Sequence, residues 1–119
     1  FVDQIPIPLI LHICGRTVDR MDYIAQTGMA AFHYDSKNTP AESMDVVQNR
    51  ISLIGNINNP ETLFSKGPEE VHDEVVRNLE SGVHMIGPEC AIPLQTAIEN
   101  LKEIPRSVME WHRNRVNQN

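Results

Sequence analysis

Hydrophobic positions along the chain fall into two spacings that alternate from end to end. Nearly continuous apolar runs at residues 8–15, 29–35, 50–56 and 83–87 read as strands. The stretches between them repeat apolar residues three and four apart, the spacing of one helix face. A first helix is expected from about Thr17, where Val18, Met21, Ile24 and Ala25 fall in register, to a stop at Gly28. Thr17 with Arg20 is only half a capping box. Thr39 as N-cap and Pro40 as first helical residue open a second helix over residues 40–48. Asn58, Asn59 and Pro60 mark a loop, and a third helix over residues 68–80 follows, with Glu69 and Glu70 in its first turn and Gly82 just past its end. Residues 88–95 read as a loop. The last helix is expected from Thr96 to about Asn114, with Pro105 inside it as a kink or a split.

Four strand-helix units in series with short connections require parallel strands, because each crossover helix returns the chain to the same end of the sheet. The class is therefore α/β, and the near-continuous apolar third strand is expected to be covered on both faces. A closed (β/α)₈ TIM barrel takes about 250 residues. The 119 residues here make four parallel strand-helix units, about half of such a barrel, as one domain over residues 1–119 whose other half is missing or is replaced by a second copy. A small doubly wound sheet would carry a phosphate-binding glycine fingerprint after its first strand, where this chain has CGRTVD.

Composition narrows the function classes. A formal net charge of −6 argues against a nucleic-acid partner, which needs clustered Lys and Arg against phosphates. The longest apolar run falls well short of the roughly 18 residues of a membrane span. The chain starts at Phe1 without a signal-peptide pattern, which reads as a cut or processed start. Its two cysteines are too few for a disulfide framework, and a cytoplasmic setting would keep them reduced.

The residues able to do chemistry gather at the C-terminal ends of the expected strands, the catalytic face of barrel enzymes. His12 and Cys14 sit two apart on one strand and so share a face. With Cys90 they offer one nitrogen and two sulfurs, a set that suits Zn²⁺ and leaves a fourth position open for a water or a substrate. A thiol bound at that position would be held as thiolate, and the matching reaction is alkylation of sulfur. A bland reading stands beside this one: His-x-Cys is a weak signal, and Cys14 as a core thiol with His12 as a satisfied histidine explains the same residues. Asp35 ends the second strand, where it could orient His12, touch substrate or cap a loop. Asn56 could donate to a substrate or simply serve a turn. Glu89 reads as a solvated loop acid, His33 as a packing or surface residue, and His72, His84 and His112 as structural or surface groups.

The string LILHICGRTVDRMDYIAQTG, the strand ending in Asp35, IGNINNPETLFSKGPEEV and GPECAIPLQTAIENLKEI together resemble the C-terminal half of the uroporphyrinogen decarboxylase superfamily, and within it the methylcobamide:coenzyme M methyltransferases. The resemblance implies a zinc motif of His-x-Cys and a distant Cys, which falls on His12, Cys14 and Cys90. It implies that zinc binds the thiol of coenzyme M, which takes a methyl group from the methylcobamide of a separate corrinoid protein, giving methyl-coenzyme M in methanogenesis. No Asp-x-His-x-x-Gly corrinoid signature is present, so the cofactor is expected on the partner. Two other readings remain: a uroporphyrinogen decarboxylase-like enzyme, and an inactive half-barrel that forms a homodimer through its open edges.

Overall fold

The computed structural model describes residues 1–118. Its four strands, β1 (Ile10–Ile13), β2 (Ala31–Tyr34), β3 (Ser52–Ile57) and β4 (Met85–Pro88), lie in the order β1-β2-β3-β4 and are all parallel. The helices α1 (Met21–Ala25), α2 (Pro40–Val47), α3 (Pro68–Glu80) and α4 (Ile98–Asn117) alternate with them. Because each connection crosses to the next strand with the same hand, the helices share one side of the sheet.

Strand alternation decides what each face buries. Phe32 and Tyr34 of β2 are buried on the helix side, where they pack with Met21, Ile24, Val47 and Leu53. A second cluster of Ile57, Leu63, Val71, Val75 and Ile104 fills the space under α3 and α4. The other face carries Ile10, His12, His33, Ile54 and Met85, which share strand parity across the paired register. Ile10 and Met85, on the two edge strands, stand 61% and 60% exposed. The continuous apolar run of the third strand predicts cover on both faces; among the described residues it is covered on one, because four strands do not close on themselves and no helix of the described residues lies on the second face.

Local signals explain most of the boundaries. Thr39 accepts from the Glu42 amide and Pro40 follows as the first residue of α2, and α3 spans the expected 68–80. The first helix is split into a 3₁₀ turn at Val18–Arg20 and the short α1, and its cap comes from outside: Asn38 Oδ1 accepts from the amides of Thr17 and Val18 at 2.8 and 3.0 Å. The segment after β3, expected to be a loop, winds into a π-helical stretch at Asn59–Phe64 capped by Asn58. Pro105 neither splits nor ends α4. The helix is pinned on both sides of the proline, by Asn100 donating to the carbonyls of Leu63 and Lys66 and by buried Ile104 and Ser107, so packing outweighs the lost amide hydrogen bond. Among the described residues no helix is long and apolar enough to cross a membrane.

Candidate metal centre

His12 leaves the end of β1 on the open face with its Nε2 3.2 Å from Cys14 Sγ, and Cys14 Sγ lies 3.2 Å from Cys90 Sγ. The three donor atoms all fall within 4.8 Å of one another, and all three residues are exposed. Both cysteines are free thiols. The shared face of His12 and Cys14 follows from strand alternation; the arrival of Cys90 does not, since β1 and β4 are opposite edges of the sheet.

The donor set fits zinc. Tetrahedral ligands at about 2.0–2.3 Å from Zn²⁺ lie roughly 3.3–3.8 Å apart, so small side-chain shifts would bring these donors into place. The imidazole is already oriented. His12 Nδ1 donates to the carbonyl of His33 at 3.0 Å, and a carbonyl only accepts, so in the neutral ring Nε2 keeps its lone pair for a metal. Cys14 is held above the usual thiol range, first by its hydrogen bond with Cys90 and then by desolvation, the second thiol and the carboxylates of Asp35 and Glu89. A divalent cation would reverse that balance, because it stabilises the thiolate outright.

The remaining sequence candidates hold the frame of the site. Asp35 accepts from the amide of Gly15 at 2.8 Å and from that of Lys37 at 2.9 Å; burial pushes its carboxyl up, but these backbone donors outweigh it and hold the group below its ordinary value. It does not orient His12, whose partner is the His33 carbonyl. Asn56 is buried, and its Nδ2 donates to the carbonyls of Asp35 and Asn38. Glu89 is not a solvated acid. It is 6% exposed, and its two oxygens accept from the amides of Ser36 and Asn59 at 2.8 and 2.9 Å. His33 is more than a packing residue: its Nε2 donates to the Pro88 carbonyl at 2.7 Å while its ring lies against that of His12, centroids 4.6 Å apart. The signal was present in the sequence, since LHIC and FHYD place His12 and His33 at matching positions of neighbouring strands. His72 and His84 are structural, bonded to Ser107 Oγ and to the Leu53 amide.

With this geometry in place, comparison with known proteins fixes the family. The sequence model of uroporphyrinogen decarboxylase matches residues 1–111. The chain belongs to the uroporphyrinogen decarboxylase family. Its curated relatives include the methylcobamide:CoM methyltransferase MtaA of Methanosarcina barkeri, 30% identical over 104 residues, which cover 87% of this chain and 31% of that protein. A methylated-thiol–coenzyme M methyltransferase of Methanosarcina mazei is 29% identical over 108 residues, 90% of this chain and 29% of the relative. A solved methyltransferase from Methanosarcina mazei superposes with a TM-score of 0.88 at 25% identity, over 92% of this chain and 33% of that one. The chain thus spans about a third of the length of these relatives.

Proposed function

We propose that this chain carries the zinc-binding, thiol-activating part of a methyltransferase that moves a methyl group from a methylated corrinoid protein to coenzyme M. The observation that carries this reading is the meeting of two thiols and one imidazole at the open end of the sheet. Relatives of this chain are methylcobamide:CoM methyltransferases, and transfer of a methyl group to a thiol is a reaction that such a donor set would serve.

His12 Nε2, Cys14 Sγ and Cys90 Sγ would hold the metal, with the fourth position open towards the exposed face. Zinc bound there supplies one service: it keeps the incoming thiol deprotonated at neutral pH. The protein's residues do the rest. The His33 carbonyl fixes the imidazole, Asp35 holds the Gly15 turn that follows Cys14, and Asn56 ties the Asp35 and Asn38 carbonyls beneath it. The reaction would form a C–S bond from a sulfur lone pair of coenzyme M, with the displaced bonding pair leaving on the corrinoid of the donor protein. Methyl-coenzyme M is the product that would feed methanogenesis, and two free thiols at an exposed site fit a reducing cytoplasm.

The test is thiol-dependent demethylation of free methylcobalamin by the zinc-loaded protein, with methyl-coenzyme M identified by mass spectrometry. Methylation of coenzyme M well above the rate of a Cys90→Ser variant is expected. Carbon dioxide release from a uroporphyrinogen, without thiol methylation, would point to the decarboxylase reading instead.

As a barrel part, the chain corresponds to the C-terminal half, four strand-helix units of eight. Alone, it should pair with a second copy, because both edge strands are open and an apolar groove of about 370 Å³ runs between β4 and α4 past Met85, Ile104, Val108 and Met109. Sedimentation should show a homodimer that Met85→Lys shifts towards monomer; a monomer for the unmodified chain at tens of micromolar would contradict this.

A further inference from the structure

We propose that Glu89 is the positioning residue of Cys90: its buried carboxylate locks the turn after β4 across the sheet and so sets the Cys90 sulfur against that of Cys14.

The need for such a device is geometric. Three inter-strand steps of about 4.8 Å separate β1 from β4, so the two strand ends start roughly 14 Å apart. Cys90 nevertheless stands 3.2 Å from Cys14, sulfur to sulfur. The turn must run back over the ends of β3 and β2, and something must hold it there.

Glu89 provides three of the holding contacts. Its amide donates to Ile57 O at 3.0 Å, which continues the β3–β4 pairing one residue further. Its Oε1 accepts from the Asn59 amide, at the start of the π-helical stretch after β3, and its Oε2 accepts from the Ser36 amide, in the loop after β2. One side chain therefore ties the ends of three successive strands. Two neighbours complete the turn: Asn59 Nδ2 donates to Ala91 O at 2.9 Å, and His33 Nε2 donates to Pro88 O. Cys90 is thus bracketed on both sides by anchored backbone while its own side chain stays exposed.

A carboxylate buried this deeply is costly unless charge-assisted hydrogen bonds compensate it, and here each oxygen has a backbone donor. Glu89 lies outside the three-residue donor group, its two oxygens turned to the Ser36 and Asn59 amides. Its effect reaches the metal through Cys90, and partners of this kind typically change metal affinity by about 10–100-fold when removed.

The proposal concerns the apposition of the sulfurs, while its consequence for zinc rests on the methyltransferase reading; two measurements keep these apart. In the metal-free chain, the equilibrium between the Cys14 and Cys90 thiols and oxidised glutathione gives the effective concentration of the pair: one disulfide forms in the protein as one glutathione disulfide becomes two glutathiones. Zinc affinity by chelator competition, with the thiolate-to-cobalt absorption of the Co²⁺ form, reports the metal site. Glu89→Gln keeps the shape but turns one acceptor into a donor facing an amide N–H, and Glu89→Ala removes both. Both should lower the effective concentration about tenfold or more and weaken zinc by about 10–100-fold, while the exposed Glu99→Gln changes neither. If Glu89→Ala does not fold, the isosteric Gln variant decides. An unchanged thiol equilibrium in Glu89→Gln overturns the proposal, whatever the zinc affinity. A lowered thiol equilibrium in a chain whose unmodified form binds no zinc supports the positioning role and overturns the metal centre.

Discussion

Cys14→Ser and Cys90→Ser will each bind zinc at least about 100-fold more weakly than the unmodified chain, measured by competition with a chromophoric chelator. Neighbours of metal ligands are worth about 10–100-fold, and a ligand itself is worth more. Serine keeps the size of the side chain but replaces a soft, ionisable sulfur by a hydroxyl that does not lose its proton near neutral pH, so the site falls from three protein ligands to two. Both residues are exposed, and their chief side-chain contacts are with each other and with His12, so the folded state should survive in both variants. Equal losses from residues on opposite edges of the sheet are the specific expectation. A loss in Cys14→Ser alone, with Cys90→Ser unchanged, would mean that the turn after β4 does not reach the site in solution.

The largest expected effect on stability lies behind the site, at Asn38. This residue is 0% exposed and uses its whole amide: Oδ1 accepts from the amides of Thr17 and Val18, and Nδ2 donates to the carbonyls of Gly15 and Asp35 at 3.0 Å each. It thereby joins the turn after Cys14 to the loop after β2 and caps the first helical segment from a distance. Asn38→Ala leaves two amides and two carbonyls without that partner in a largely buried place. Each net hydrogen bond is worth about 0.5–1.5 kcal/mol, and buried donors left unpaired cost more, so a loss of about 2–4 kcal/mol is expected in urea unfolding. Asn38→Asp keeps the acceptor but turns an oxygen towards the Gly15 and Asp35 carbonyls, and should lose at least as much. A change below about 0.5 kcal/mol for Asn38→Ala would contradict the role assigned to these bonds.

What the sequence displays and what it hides divide along a physical line. The bounds of α3 are legible because Pro68, the first-turn acids and Gly82 are local signals for one helix, and the apolar spacing of Val71 and Val75 agrees with them. The shared face of His12 and Cys14 is legible because strand alternation is a property of the backbone alone. The π-helical stretch was hidden because Asn58, Asn59 and Pro60 carry the same signals at a helix start as in a turn. The unbroken passage of α4 through Pro105 depends on contacts with the Leu63 and Lys66 carbonyls, which no local pattern shows. Glu89 and Asn38 were hidden for the same reason: their partners are backbone amides and carbonyls of distant loops, and backbone groups are identical at every position of a sequence.

Three residues of this chain are proposed to hold a zinc ion whose open position takes a thiol. X-ray absorption at the zinc edge on the loaded protein, before and after saturation with coenzyme M, counts the sulfur ligands in each state. Two sulfur scatterers beside nitrogen and oxygen, rising to three sulfurs when coenzyme M is added, is the predicted result. A zinc ion with two sulfurs in both states, or with none, would contradict it.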